Sequence, residues 1–367
     1  MKILFILESF YPNIGGVETL FKNLTDELSH QNHQITVLTN KGKGQASQEM
    51  LPSGVRVKRI STFNRYIFTF LGWLPALLEA RKHDLIHTTS YNAGIPAIIA
   101  GLFTRKKVII TFHEAWGKLW FDLPFFSKLS LFFHYLFEQI LLKLPFHLFI
   151  AVSKYTAEQL ALNGIKKEKI KVIYNGLDYS IFKKNIKKQS DPNRPYHFLY
   201  FGRLGISKGL DVLIAGAGLV QDSFKLTLIL PKEPEGLLNA VKELIKENNI
   251  EDKVEIKHHL PYKELQFEVI NTDAVIVPSY SEGFGFTAAE TIAMNTPIIS
   301  SNRGSLAEVV SGKHINMITF DSEGLATAMK RAIKNDYDYI PVKEFHLSDS
   351  VQEYIALYKN LSIKQPA

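Results

Sequence analysis

Ala274-Val275-Ile276-Val277-Pro278 runs into Ser279-Tyr280-Ser281-Glu282-Gly283-Phe284-Gly285-Phe286-Thr287-Ala288-Ala289-Glu290. The first five residues read as a buried strand, the glycine-bearing stretch as a turn, and the remainder as a helix opening near Thr287. Two carboxylates, Glu282 and Glu290, stand eight residues apart across that turn. In an open α/β sheet, ligands collect at the carboxyl ends of strands, where loops and helix N-termini converge. Backbone N–H groups at a helix start attract anions. Acids beside such a start point to a ligand with both phosphate and hydroxyl groups, as a sugar nucleotide has. A plainer reading also exists: Thr287-Ala288-Ala289-Glu290 fits a capping box, with Glu290 satisfying an orphan N–H and Glu282 an ordinary loop acid.

Working outward, short apolar runs alternate with longer amphipathic segments along the whole chain, the pattern of parallel sheets covered by helices. The first half holds strand-like runs at Ile3–Leu7, Gln34–Leu38, Leu85–His87, Lys107–Thr111, Leu148–Val152 and Lys171–Tyr174. The second holds Phe198–Phe201, Lys225–Ile229, Val254–Lys257, Ala274–Val277, Ile298–Ser300 and Ile315–Ile318. The polar, proline-bearing stretch 184–195 reads as a linker. The expectation is an α/β protein with two doubly wound Rossmann-like domains facing a central cleft. Residues 1–183 form the first domain and 196–347 the second. A terminal helix in 348–367 is expected to be able to pack back on the first domain.

The chain has 367 residues, 46% of them hydrophobic, and carries no cysteine. Disulfides, thiolate metal sites and a cysteine nucleophile are therefore excluded, which fits a reducing compartment. The opening apolar run, Ile3–Leu7, ends at Glu8 and is too short for a signal peptide. The longest apolar stretches, near Tyr66–Leu78 and Leu129–Phe137, fall short of the roughly 20 residues that span a bilayer. The expected location is cytoplasmic, with room for contact at the inner membrane face.

The net charge of +7 is unevenly spread. Residues 1–183 hold 22 Lys and Arg against 13 Asp and Glu, whereas residues 196–367 hold 17 against 22. A basic first half suits an anionic surface or a phosphorylated acceptor, or is simply a solvated basic face. No recognition motif for nucleic acid accompanies the charge. Rings crowd residues 119–149, among them Trp120, Phe121, Phe125, Phe126, Phe132 and Phe133. Together with Phe63–Leu78 they read either as core packing or as an aromatic, cationic face lying on a membrane.

Chemistry concentrates at strand ends. Phe198–Phe201 leads into Gly202-Arg203-Leu204-Gly205-Ile206-Ser207-Lys208-Gly209 and then a helix. An Arg fork and a Lys point charge on one glycine-rich loop can grip a diphosphate from two directions. Gly15-Gly16 precedes a helix, allowing close approach of a ligand to the backbone, but lacks the dinucleotide G-x-G-x-x-G spacing. His113 follows the strand Lys107–Thr111 and reads as either a structural histidine or a contact to a sugar hydroxyl. Asp336-Tyr337-Asp338 reads as surface loop, and no metal site is evident.

These residues resemble a family-4 glycosyltransferase, the two-domain GT-B type that retains configuration at the transferred carbon. Gly15-Gly16-Val17-Glu18, His113, Val152-Ser153, Asn175-Gly176-Leu177-Asp178, Gly202-Arg203 with Lys208-Gly209, Pro278-Ser279 with Glu282 and Glu290, and Gly304 with Glu308 fall in that family's order. The resemblance implies that Arg203 and Lys208 neutralise a donor diphosphate close to Gly16. Glu282 would then contact the donor sugar, Glu290 the ribose, and His113 the sugar from the first domain. Gly283, Phe284, Gly285, Phe286 and Thr287 would complete the donor site through the turn and the helix start. It also implies a UDP- or GDP-linked sugar donor as substrate, no separate cofactor, and a glycan or lipid-linked acceptor in cell-surface polysaccharide or glycolipid synthesis.

The chain departs from the family pattern at Leu230-Pro231-Lys232-Glu233-Pro234 and at His258-His259, both in loops where the nucleotide base would lie. Asn295, Ser305 and Asn316 stand where glycines are usual, and Asn tolerates the left-handed helix end. The rival readings are a nucleotide-sugar epimerase of the same architecture and a non-catalytic nucleotide-sugar-binding subunit; a nicotinamide dehydrogenase is disfavoured.

Overall fold

The runs rich in Ile, Leu, Val and Phe become strands buried on both faces, because helices cover each sheet from both sides. A computed structural model of the chain describes residues 1–13, 15–62, 65–124, 127–182, 194–258 and 260–362. Strands are β1 (Lys2–Leu7), β2 (Gln34–Asn40), β3 (Gln48–Met50), β4 (Arg56–Ile60), β5 (Leu85–Thr89), β6 (Lys107–Phe112), β7 (Leu148–Ala151) and β8 (Ile170–Val172), followed by β9 (Tyr196–Phe201), β10 (Phe224–Ile229), β11 (Val254–Lys257), β12 (Ala274–Val277), β13 (Ile298–Ser300), β14 (Gly312–Asn316) and β15 (Asp338–Ile340). The first eight form one sheet in the order β3-β4-β2-β1-β5-β6-β7-β8, and the other seven a second, β11-β10-β9-β12-β13-β14-β15. All pairings are parallel except β3 with β4 and β14 with β15, so each sheet carries one antiparallel strand at an edge. Both sheets are doubly wound α/β, Rossmann-like, as the alternation of runs predicts.

The chain divides into two compact units. Unit 1 is Met1–Asp122, Ser127–Gly176 and Phe345–Ala367; unit 2 is Leu123–Phe126 and Leu177–Glu344. Most of the stretch read as a linker, and Phe125, Phe126 and His259, lie outside the described residues. Each unit has its own core. In unit 1, Phe68, Ile110, Phe112, Phe146 and Phe149 pack with Leu141 and Leu160. In unit 2, Phe198, Leu226, Ile276 and Ile299 pack with Leu213 and Met329.

Three expectations are corrected. Strands β3 and β4 escape the sequence reading because Gln48–Met50 is fully exposed and Arg56–Ile60 alternates buried with half-buried residues, so neither shows an apolar run. β14 spans Gly312–Asn316 and not Ile315–Ile318, since Ile318 is solvent-exposed after the strand ends. Asp336-Tyr337-Asp338 is not all loop: Asp338 opens edge strand β15, and Asp336 and Asp338 both pair with Arg331.

Candidate active site

In unit 2 the strand order turns at β9 and β12, which lie side by side with Phe198 opposite Ala274 and Leu199 opposite Val275. From β9 the chain winds outward to β10 and β11, and from β12 the other way to β13 and β14. Loops leaving the carboxyl ends of two such strands diverge and open a crevice. Those loops are Gly202–Gly209 after β9 and Pro278–Gly285 after β12, which carry Arg203, Lys208 and Glu282.

Close backbone packing holds the loops together. Tyr280 N–H donates to the Ser207 carbonyl at 2.8 Å. Gly209 adopts φ +67°, and a Cβ there would sit 1.9 Å from the Pro278 carbonyl oxygen, so only glycine fits. The loop after β13 closes from the other side. The Ser305 N–H donates to the Glu282 carbonyl at 2.9 Å, and the Ser301 hydroxyl donates to the Ser279 carbonyl at 2.7 Å. Gly304, at φ +65°, lies so close to the Glu282 backbone that a Cβ would come within 2.5 Å of its oxygen. Arg303 Nε donates to the Tyr280 carbonyl at 2.8 Å while its guanidinium stacks 4.6 Å over the Phe320 ring. Tyr280 in turn donates to Asp211 Oδ2 at 2.6 Å. Glu282 thus sits on a backbone tied from both sides.

Glu282 is only 8% exposed. Lys208 Nζ and Ser279 Oγ both donate to Glu282 Oε1, each at 2.7 Å. The acid and the cation expected at different parts of one ligand therefore lie in direct contact with each other. Arg203, on the same loop as Lys208, is exposed, and its carbonyl accepts from the Tyr200 hydroxyl at 3.3 Å. Burial, and then the Glu282 charge, hold the Tyr200 phenol above its usual range.

The helix after this turn spans Phe286–Ala293, with Gly285 at its N-cap in the left-handed region and no side-chain cap. This overturns the capping-box reading of Thr287 and Glu290: Glu290 lies beyond the first turn and cannot return to the helix start. The first intrahelical bond runs from Ala289 N–H to the Gly285 carbonyl at 3.1 Å, which leaves the N–H groups of Phe286, Thr287 and Ala288 without an intrahelical partner. Phe284 is buried, its ring 5.1 Å from that of Phe286. Asn295 takes φ +55° just beyond the helix, the left-handed end that Asn tolerates. Burial pushes the Glu290 carboxyl up to about 7. The Tyr262 phenol is raised above its usual range by burial and then by the Glu290 charge. Nothing in the sequence pattern marks Tyr262, Asp211 or Arg303, because each is distant along the chain from the group it supports.

The loops after β10 and β11, where the chain departs from the family pattern, are joined: His258 Nδ1 lies 2.8 Å from the Leu230 carbonyl. In unit 1, Gly16 opens the helix Gly16–His30 and is exposed. His113 follows β6, partly buried, with its ring edge-on to Phe21 at 6.0 Å. The structure thus brings Lys208 and Glu282 into contact, sets Arg203 on the same loop, and places Glu290 one helix turn on. Gly16 and His113 belong to the other unit. Among the described residues no group of three or more His, Asp or Glu side chains is gathered as a metal site.

Residues 14–180 match the family model described as Glycosyltransferase Family 4, and residues 182–344 that of Glycosyl transferases group 1. The alpha-monoglucosyldiacylglycerol synthase of Streptococcus pneumoniae is 23% identical over 97% of this chain and 83% of its own length. Sucrose-phosphate synthase from Thermosynechococcus elongatus superposes with a TM-score of 0.78 at 19% identity, over 98% of each chain. Anabaena HepE, solved in complex with UDP and glucose, superposes at 0.73 and 18% identity, over 98% of this chain and all of its own. Identities this low establish the fold that the three proteins share, which is the two-domain GT-B arrangement of α/β sheets.

Proposed function

The chain is a glycosyltransferase of the GT-B fold, and from that premise we propose that it moves a hexose from a UDP- or GDP-linked donor to a glycan or lipid-linked acceptor, with retention at the transferred carbon and no metal ion. The observation that carries this reading is the contact of Lys208 with Glu282 on loops that leave neighbouring strands at the switch point of the second sheet. UDP and glucose in the Anabaena neighbour support a nucleotide-sugar donor, and the lipid glucosyltransferase relative supports a lipid-linked acceptor.

In the loaded enzyme the bond between the sugar's anomeric carbon and the β-phosphate oxygen breaks, and negative charge grows on the departing diphosphate. Arg203 and Lys208 neutralise it, aided by the N–H groups at the start of the helix Phe286–Ala293. Preorganised charges of this kind supply much of the rate enhancement in many enzymes, because they need no reorientation when the bond breaks. The acceptor oxygen bonds to the same carbon on the face the phosphate leaves, and its proton passes to the departing phosphate. Lys208 exchanges its bond to Glu282 for the phosphate, which frees Oε1 for a sugar hydroxyl. Glu290 takes the ribose hydroxyls. The roles of Gly16 and His113 toward the donor rest on the family resemblance, and acceptor recognition is assigned to unit 1.

Lys208→Ala is expected to lower kcat by orders of magnitude, measured as nucleotide released on acceptor addition. A thermal-shift screen of UDP- and GDP-linked hexoses with EDTA present identifies the donor, and NMR of the product assigns its anomeric configuration. Near-normal turnover by Lys208→Ala, or no stabilisation by any donor in the screen, would sink the reading.

A further inference from the structure

Helix Lys128–Leu142 is apolar on two sides. Leu141 and Leu142 face the unit 1 core and Leu131 is buried, while Leu129, Phe132, Phe133, Leu136 and Ile140 form a second stripe at i, i+3, i+4, i+7 and i+11 that is exposed to solvent. The neighbouring helices repeat the arrangement. Tyr66, Phe70, Leu74 and Leu78 follow a four-residue spacing along Arg65–Leu71 and Trp73–Ala80, and Phe70 is 72% exposed. On helix Gly94–Thr104, Leu102 is exposed and Phe103 is 74% exposed.

These helices form one layer. Gly72 packs against Pro96, and a Cβ at Gly94 would lie 2.5 Å from Leu141, which joins the helix Gly94–Thr104 to both neighbours. Phe68, Ala76, Ala97 and Leu141 share a single core cluster. An exposed apolar surface on this scale is unusual for a protein and marks a docking site.

Charge selects the occupant. The only acids in these helices, Glu79 and Glu138, are both buried. Glu79 is held by Arg56 and Lys58, and Glu138 accepts from the N–H groups of Trp116 and Gly117, the Trp120 indole and the Tyr91 hydroxyl. The charges left at the surface of the helices and their ends are mainly cations: Arg81, Lys82, Arg105, Lys118, Lys128 and Lys143 are all exposed, with Asp84 and Asp122 the exposed acids beside them. Among the described residues no helix is long and apolar enough to cross a membrane. An apolar stripe with cations around it and no outward acid on its helices fits the headgroup region of an anionic bilayer, where rings enter the acyl boundary and cations stay with the phosphates.

We propose that this helical face of unit 1 docks on an anionic phospholipid bilayer through Phe70, Phe103, Phe132 and Phe133, with Arg105, Lys128 and Lys143 at the headgroups. The inference is independent of the donor chemistry, since docking needs no turnover.

The test is flotation of the full chain with vesicles of phosphatidylcholine alone and of phosphatidylcholine mixed with phosphatidylglycerol. Binding is expected to the mixed vesicles, weakened by salt and by loss of the anionic lipid. The pair Lys128→Glu and Arg105→Glu is expected to weaken it about fivefold for each cation changed. The triple variant Phe70→Ser, Phe103→Ser and Phe133→Ser should release the protein from vesicles while its nucleotide binding, read by thermal shift, is unchanged. These side chains are solvent-exposed, so the fold does not depend on them. Three results would overturn the proposal: no association with anionic vesicles, association that the phenylalanine variant leaves intact, or a dimer in solution that the same variant dissociates, which would assign the face to a second copy of the chain.

Discussion

Glu290 is held with its carboxyl up to about 7 by burial, well above the ordinary range of a glutamate. Ribose hydroxyls that donate to this group favour its ionised form, so nucleotide binding releases a proton wherever the free enzyme is still protonated. Affinity for the nucleoside diphosphate should therefore fall as pH drops from about 8 to about 6. Calorimetry of the wild type beside Glu290→Gln isolates the effect, because phosphate titration is common to both; a Gln variant with the same pH slope would remove Glu290 from the linkage. Gly304 makes a second prediction at this scale. Its φ of +65° and its closeness to the Glu282 carbonyl leave no room for a methyl group. Gly304→Ala is expected to cost roughly 2–4 kcal/mol of unit 2 stability or to displace Glu282, with donor affinity lost in either case. Chemical denaturation and donor titration of the variant measure the two.

Among the elements, the terminal helix Leu347–Ser362 follows the last strand of unit 2 yet clusters with unit 1. Its apolar spacing, Val351, Tyr354, Ile355 and Tyr358, is legible in the sequence, and all four are buried. The partner is not legible, because periodicity defines a face and not what covers it. Tyr358 reaches His87 Nδ1 at 2.7 Å, His87 Nε2 reaches Thr111 at 2.8 Å, and Thr111 lies 3.3 Å from the Tyr354 hydroxyl. Removing residues 345–367 should leave unit 1 unable to fold, read as lost cooperative unfolding. Tyr358→Phe, which leaves one buried nitrogen without its hydroxyl, should cost about 1–3 kcal/mol. Burial, with the His113 charge second, lowers His87 to about 3. Because the folded value lies below the unfolded one of 6.5, the stability from neutral His87 is complete above that pH and is lost progressively as pH falls toward 3. The melting temperature of unit 1 should therefore decline across that window, by less in a variant with His87→Gln.

At the scale of the whole molecule, two sheets have separate cores, and the proposed reading gives them separate tasks. The loops proposed to hold the donor, Gly202–Gly209, Pro278–Gly285 and Ser301–Ser305, all belong to unit 2, and so does the helix Phe286–Ala293. A ligand that binds only the folded state stabilises it by an amount that grows with the logarithm of its free concentration over Kd. Nucleoside diphosphate should accordingly slow hydrogen exchange in those segments, by up to the factor expected from its affinity and concentration. Exchange in β3 and β15, exposed edge strands of the two sheets, should not change. Equal protection of every segment would contradict the assignment of the nucleotide to unit 2.

The alternation of apolar runs and amphipathic segments was enough to specify two parallel α/β sheets, because burial on both faces demands continuous hydrophobic strands that any reader of the chain can find. Glycines before helices drew attention to the loops that carry Arg203, Lys208 and Glu282, of which the structure brings Lys208 and Glu282 into contact. The tertiary structure alone decided that Lys208 bonds to Glu282 and that Glu290 is not a helix cap. It alone decided which rings of residues 119–149 fill the core, as Phe146 and Phe149 do, and which face solvent, as Phe132 and Phe133 do. The physical reason is common to all of these. Periodicity and composition act along the chain over a few residues, whereas the distance between two charges, or the side of a helix that meets water, is set by packing between segments tens of residues apart.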